Sequence, residues 1–310
     1  MPITQINHAL PNSDGQPSVA YDGSFKELPP GVTHRRTGRS QEYAIELLNG
    51  RELATPLDIN KNGVCFIQGI DPAVDLKSNG LNSDEIVARY YPQIANLVNN
   101  ALGAHRVKHT WVFDHTIRSI ARRKRGEKES NGENVGGYAN GAHNDNSSNS
   151  ARTRIRLLSK SKEEGGSVTL SAPLLSAAEA ERVANGHFGI INVWRHFRED
   201  YPVRDYPLAV LDAASTGPDD FQLAKYIYPH RVGEVVNVLH RPTHRWYYYQ
   251  EMQHHEALIF KVFDNAAELG LASIEDCPPH TAHTSLRLPD ATDETPCRES
   301  IECRVLVEFR

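Results

Sequence analysis

Little in this chain points to a secreted, membrane-embedded or nucleic-acid-binding protein. It has four cysteines, Cys65, Cys277, Cys297 and Cys303, and no Cys-x-x-Cys pair. Thiols of a reducing compartment are therefore expected rather than a disulfide frame. No run approaches the roughly 18 consecutive apolar residues that a membrane-spanning helix needs. The opening stretch, "MPITQINHALPNSDGQPS", has neither a basic start nor an apolar segment, so no signal peptide is expected. Lys and Arg number 34 against 39 Asp and Glu, giving a net charge of −5. That balance argues against a general nucleic-acid binder, which would carry a basic excess. No internal repeat is visible. What is left is ordinary globular composition, 39% hydrophobic and 24% charged over 310 residues, enough for one large domain or two small ones. A soluble, cytoplasmic protein is the expectation.

Residues 1 to about 50 are rich in Pro, Gly and polar side chains and are predicted to wrap a more regular core. "NSDEIVARYYPQIANLVNNALG" (82–103) reads as a helix capped by Ser83, with Pro92 dividing it and Gly103 closing it. "SAAEAERVANG" reads as a second helix, with Ser176 and Glu179 forming a capping box. Strands are predicted over 107–117, 188–197, 207–215, 234–240, 244–252, 256–264 and 300–309, where β-branched and aromatic residues dominate. Residues 126–150 read as a long Gly/Asn/Ser loop bordering a functional site. Seven strands with few helices predict a mainly β fold with flanking helices, a sandwich or jelly roll. Residues 1–104 would form a wrapping segment and helix, packed on a core of 105–310 within a single domain.

Within that loop stands His143–Asn144–Asp145. A non-haem iron site needs two imidazoles and one carboxylate on one face of the ion. Residues i and i+2 of a strand point the same way, so His143 and Asp145 can reach one ion. Farther on come a hydrophobic strand, "EALIFKVFD", then His280, a polar loop, and Arg298–Glu299–Ser300 opening the last strand. Arg298 and Ser300 share a face, and a guanidinium fork beside a hydroxyl suits a dicarboxylate such as 2-oxoglutarate.

The stretches "HTWVFDHTIR", "AHNDNS", "INVWRHF…PLAVLDA", "HRWYYYQEM…EALIFKVFD", "PPHTAH" and "RESIECRVLVEF" resemble a family of microbial hydroxylases and desaturases of secondary metabolism, gibberellin-desaturase-like and cephamycin 7-hydroxylation-like proteins among them. The resemblance covers roughly residues 107–310. It implies a double-stranded β-helix of the cupin-like jelly-roll type, with Fe(II), 2-oxoglutarate and O2. Carried over by position, His143, Asp145 and His280 would be the metal ligands and Arg298 would hold the cosubstrate, with Ser300 beside it. His283 replaces the family's aromatic after "PHTA", either as a competing ligand or as part of an altered pocket. The segment at 159–172 has no counterpart in the resemblance, so the substrate does not carry over.

Other readings stand beside these. Arg304 competes with Arg298, and its alternative role is a structural ion pair. Arg195, Trp194, His244, Trp246, Tyr248 and His283 are candidate pocket residues. The second His-x-acid triplet, His254–His255–Glu256, is expected at a solvent-facing strand entry. The expected activity is hydroxylation, desaturation or oxidative cyclisation of a small molecule, with no nucleic-acid or membrane partner. The rival readings are a cupin-like metal hydrolase and a non-catalytic accessory protein.

Overall fold

The structure, a computed structural model, describes residues 1–12, 14–21, 27–71, 74, 76, 82–227 and 232–310. In chain order its strands are β1 (Ile3–Ala9), β2 (Ser18–Tyr21), β3 (Ser40–Asn49), β4 (Val64–Ile67), β5 (Val107–Ser119), β6 (His143–Asn144), β7 (Phe188–His196), β8 (Leu208–Leu211), β9 (Phe221–Ile227), β10 (Val232–Val238), β11 (Trp246–Tyr248), β12 (Ala257–Asp264), β13 (His283–Ser285) and β14 (Glu299–Phe309). One sheet runs β4-β12-β7-β14-β5, and a larger one runs β1-β3-β11-β8-β13-β6-β10-β9-β2. The two form a jelly roll.

The long strands of the smaller sheet are buried on both faces, which explains their near-continuous apolar runs. On β7, Ile190 and Trp194 point inward between the sheets, while Ile191 and Val193 point outward against the helix Tyr91–Leu102. β14 alternates likewise, with Leu306 inside and Ile301, Cys303, Val305 and Val307 outside. Each large apolar side chain so buried contributes roughly 1.5–3 kcal/mol. The larger sheet has a back face of its own, where Ile6, Leu47, Val238, Trp246 and Tyr248 pack.

Several details differ from the sequence reading. The first fifty residues supply β1, β2 and β3, which join the large sheet. Their apolar alternation, such as Ile45 and Leu47, is short and set among charges. Helix 82–103 is interrupted by a π-helical turn, Ile86–Tyr90, before Pro92. Proline has no N–H to offer the fourth carbonyl back, and the chain adjusts by the i→i+5 bond of Tyr91 to Ile86. The cap of this segment is Asn82 rather than Ser83, whose hydroxyl instead donates to Glu129 at 3.0 Å. The 126–150 loop contains β6, and at Ser147 it turns into a helix, Ser148–Leu157, capped by reciprocal Ser147 and Ser150 bonds. All four cysteines are free thiols. Among the described residues no helix is long and apolar enough to cross a membrane.

On β1 itself stands His8, fully buried against Tyr43, His240 and Trp246. Burial, with help from the His240 charge, pushes its imidazole down to about 4. The unfolded chain then binds a proton that the folded one refuses. Its contribution is fully present above pH 6.5 and is lost as pH falls toward 4, about 3 kcal/mol in all. Urea midpoints of a His8→Phe variant should therefore vary less with pH between 6.5 and 4 than those of the wild type.

Candidate metal centre

The centre is built where β6 enters the large sheet. β6 pairs antiparallel with β13 so that His143 stands directly opposite His283, and the two rings lie 4.6 Å apart. Asp145 follows two residues after His143, on the same side. The Nε2 atoms of His143 and His283 are 3.4 and 3.7 Å from Asp145 Oδ1. One ligating atom from each of His143, Asp145 and His283 lies within 4.8 Å of the others.

Backbone carbonyls prepare both imidazoles. His143 Nδ1 donates to Gly141 O at 2.7 Å, and His283 Nδ1 faces Thr281 O at 3.4 Å, in each case two residues back. Holding the proton on Nδ1 leaves the Nε2 lone pair aimed at the centre, as in metal-ligating histidines. Burial alone would lower the His143 imidazole, but the Asp145 carboxylate outweighs it and raises it above its ordinary value. Burial and the neighbouring His143 hold His283 low. Asp145 stays well below the usual carboxylate range: burial opposes this, but His143, His283 and Arg304 prevail. Its outer oxygen, Oδ2, accepts from Asn192 Nδ2 at 2.8 Å and faces Arg304 Nε at 3.7 Å, so Oδ1 is left for the centre. His143 and Asp145 keep side-chain exposures of 22% and 19%, which leaves the centre accessible to a ligand. Two imidazoles and one carboxylate, with open positions beyond them, fit a divalent iron.

Asn192 was not singled out in the sequence; its signal is a lone amide between Ile190 and Trp194 on the inward row of β7. Partners that orient a ligand typically govern tenfold to a hundredfold of metal affinity. Asn192→Ala should therefore weaken Fe(II) binding by about that factor, as competition with a chromophoric chelator would show, while far-ultraviolet dichroism stays unchanged.

Two residues beyond His283 on β13, Ser285 points the same way and accepts a 3.1 Å bond from Arg298. Arg298 is 1% exposed, its guanidinium sits over the rings of Tyr138 and Trp194, at 4.2 and 5.3 Å, and it also donates to Tyr206 O. Tyr206 takes a left-handed backbone, φ 48°, rare for a residue with a side chain, to present that carbonyl. Burial lowers the Arg298 guanidinium to about 10, so it remains a cation at neutral pH. Its Nε and the Ser300 hydroxyl are both buried without a partner among the described residues. Buried donors left unmade are costly.

The other sequence candidates separate sharply. His280 is outside the group: its ring packs on Phe221 and Phe263, its Nδ1 faces Asn144 Nδ2 at 3.1 Å, and burial lowers it to about 4. The strand begins only at His283, so it is His283 that acquires the register opposite His143. Of the pocket candidates, Trp194 faces the interior beside Arg298. Arg195, one residue on, points outward and donates to Tyr90 Oη and His254 O at 3.3 and 2.6 Å. Trp246 and Tyr248 pack on the back face of the large sheet, and His244 bonds Asp220 at 3.0 Å, away from the centre. Arg304 pairs with Asp114 at 2.9 Å and Glu302 at 3.0 Å besides facing Asp145. Glu256 is not solvent-facing but buried, ion-paired to Arg51.

A family model described as "Oxidoreductase/YMDC permease-like domain" matches residues 6–308. The chain is 34% identical over 155 residues to the hydroxylase/desaturase efuI of Hormonema carpetanum, covering 46% of this chain and 48% of that one. It is 26% identical over 271 residues to the Fe(II)/2-oxoglutarate-dependent dioxygenase nvfI of Aspergillus novofumigatus, covering 86% and 83%. With efuI and with the aspirochlorine biosynthesis protein N of Aspergillus oryzae, the match spans about half the relative's length, 48% and 52%. The solved structure of the iron and alpha-ketoglutarate-dependent endoperoxidase NvfI superposes with a TM-score of 0.75 at 21% identity, covering 99% of this chain and 98% of that one. That likeness establishes the jelly-roll fold over nearly the whole chain.

Proposed function

This chain belongs to the family described as the oxidoreductase/YMDC permease-like domain, and from that premise we propose that it is an Fe(II)/2-oxoglutarate-dependent oxygenase acting on a small molecule of secondary metabolism. The reaction is hydroxylation, desaturation or oxidative cyclisation, with 2-oxoglutarate leaving as succinate and CO2. The names of the fungal relatives support it. The observation that carries it is the pairing of two sites on one strand. β13 offers His283 to the three-residue centre and, about 7 Å along at two residues' rise, Ser285 to the buried Arg298. A five-carbon dicarboxylate bridges such a separation.

When bound, iron with 2-oxoglutarate and O2 supplies the oxidising equivalents for cleaving a C–H bond. His143, Asp145 and His283 would hold the ion through two Nε2 atoms and Oδ1. Arg298 would grip the cosubstrate's distal carboxylate, with the Ser300 hydroxyl as a second donor. Trp194 and Tyr138 flank that guanidinium and keep water from it, which strengthens the charge pair. Asn192 and Arg304 hold Asp145 by its outer oxygen, so the carboxylate cannot rotate away. The four free thiols support a reducing, cytoplasmic setting.

The test is an anaerobic titration of metal-free protein with Fe(II) and then 2-oxoglutarate. A visible charge-transfer band that needs both, followed by succinate formation on admitting air, is the expected result. Iron-loaded, folded protein that gives neither would leave a metal hydrolase or an accessory protein as the better reading.

A further inference from the structure

Three guanidiniums lie on the inward rows of β5 and β14 or at their ends, and they are used differently. Arg304 is taken up by Asp114, Glu302 and Asp145. Arg298, in the reading above, takes the cosubstrate. Arg118 stands directly across from Ser300 in the β5–β14 register. It continues the row of Asp114 and Thr116, whose side chains meet Arg304. It is half-buried, and its Nη1 donates to Gly137 O at 2.8 Å. No carboxylate among the described residues forms an ion pair with it. A guanidinium has five N–H donors in a fixed fork, and one carbonyl occupies only one of them. Gly136 packs on Arg118 so closely that a Cβ there would lie 3.4 Å from its Cγ and Nη1.

We propose that Arg118 anchors a carboxylate of the prime substrate, so that this enzyme takes an organic acid and holds its acid group against β5 while the carbon to be oxidised faces His143, Asp145 and His283. The inference rests on the oxygenase reading. The carboxylate could in principle come from substrate or cosubstrate. The substrate is favoured because Arg298 and Ser300 already meet the distal carboxylate and the keto-acid end belongs to the metal.

The probes are benzoate and its neutral isostere benzamide, titrated calorimetrically and anaerobically into the Fe(II)- and 2-oxoglutarate-loaded protein. A charge-assisted pair is worth about 1.5–3 kcal/mol, so the wild type should bind benzoate at least about tenfold more tightly than benzamide. Arg118→Gln should lose that preference, and Arg118→Lys should keep part of it. The 2-oxoglutarate midpoint, read from the visible band, should be the same in all three proteins. Equal binding of acid and amide by the wild type overturns the proposal without any variant being needed. So does a preference that survives Arg118→Gln. Weaker 2-oxoglutarate binding in Arg118→Gln would overturn it by placing the cosubstrate there, and displacement of the band by benzoate in all three would place the acid at Arg298. Absence of the band from the wild type is a separate result that fails the oxygenase reading itself.

Discussion

His283→Ala should abolish the 2-oxoglutarate-dependent visible band, whereas His280→Ala should leave it in place. His283 stands in register with His143 and points its Nε2 at Asp145. Removing it leaves one imidazole and one carboxylate, too few donors to fix iron with a defined open face. Fe(II) affinity should fall at least a hundredfold, as chelator competition would show. His280 is wedged between Phe221 and Phe263, so its loss is a packing defect. The His280→Ala protein should melt several degrees lower, for a cost of about 2 kcal/mol, but still give the band. The opposite pattern, band lost with His280 and kept with His283, would mean that the centre is assembled differently from the arrangement described above.

Arg298→Ala should raise the 2-oxoglutarate concentration needed for half-formation of the band by about thirtyfold or more, while Fe(II) binding is little changed. Truncating one member of a buried, hydrogen-bonded charge pair costs about 2–5 kcal/mol, and each 1.4 kcal/mol is a factor of ten. Arg298→Lys should not rescue it. An ammonium keeps the charge but lacks the planar fork, and the slot between Tyr138 and Trp194 is shaped for a flat group. An unchanged 2-oxoglutarate midpoint in Arg298→Ala would move the distal carboxylate to another guanidinium, Arg118 or Arg304.

Much of this site could be read along the chain because strands obey a period of two. His143 with Asp145, and Arg298 with Ser300, are i, i+2 pairs, and that spacing alone puts each pair on one side of its strand. The long strands at 107–117, 188–197, 256–264 and 300–309 are legible for a different reason: largely buried on both faces, they are rich in β-branched and aromatic residues on both rows. Strands such as β4, β6 and β13, of four residues or fewer, carry too little pattern to be seen. β1 hides its apolar residues among polar neighbours, and β3 among polar and acidic ones.

The candidates that the structure places away from the centre share one cause. Trp194 and Arg195, or Tyr247 and Tyr248, are adjacent in sequence yet belong to opposite faces, and composition cannot say which face is inside. The choice between His280 and His283 is of the same kind. Both follow the same hydrophobic strand in the chain, and three residues separate them.

The residue types needed for the chemistry, two imidazoles, a carboxylate, a guanidinium and a hydroxyl in that order along a mainly β chain, are determined by the sequence itself, because local spacing fixes which neighbours share a face. Which histidine completes the centre, and which arginine is free to take a carboxylate, was decided only by tertiary structure. Cross-strand register puts His283 opposite His143, and Asp114, Glu302 and Asp145 consume Arg304, while no carboxylate among the described residues forms an ion pair with Arg298 or Arg118. Those are long-range pairings, and no local pattern encodes them.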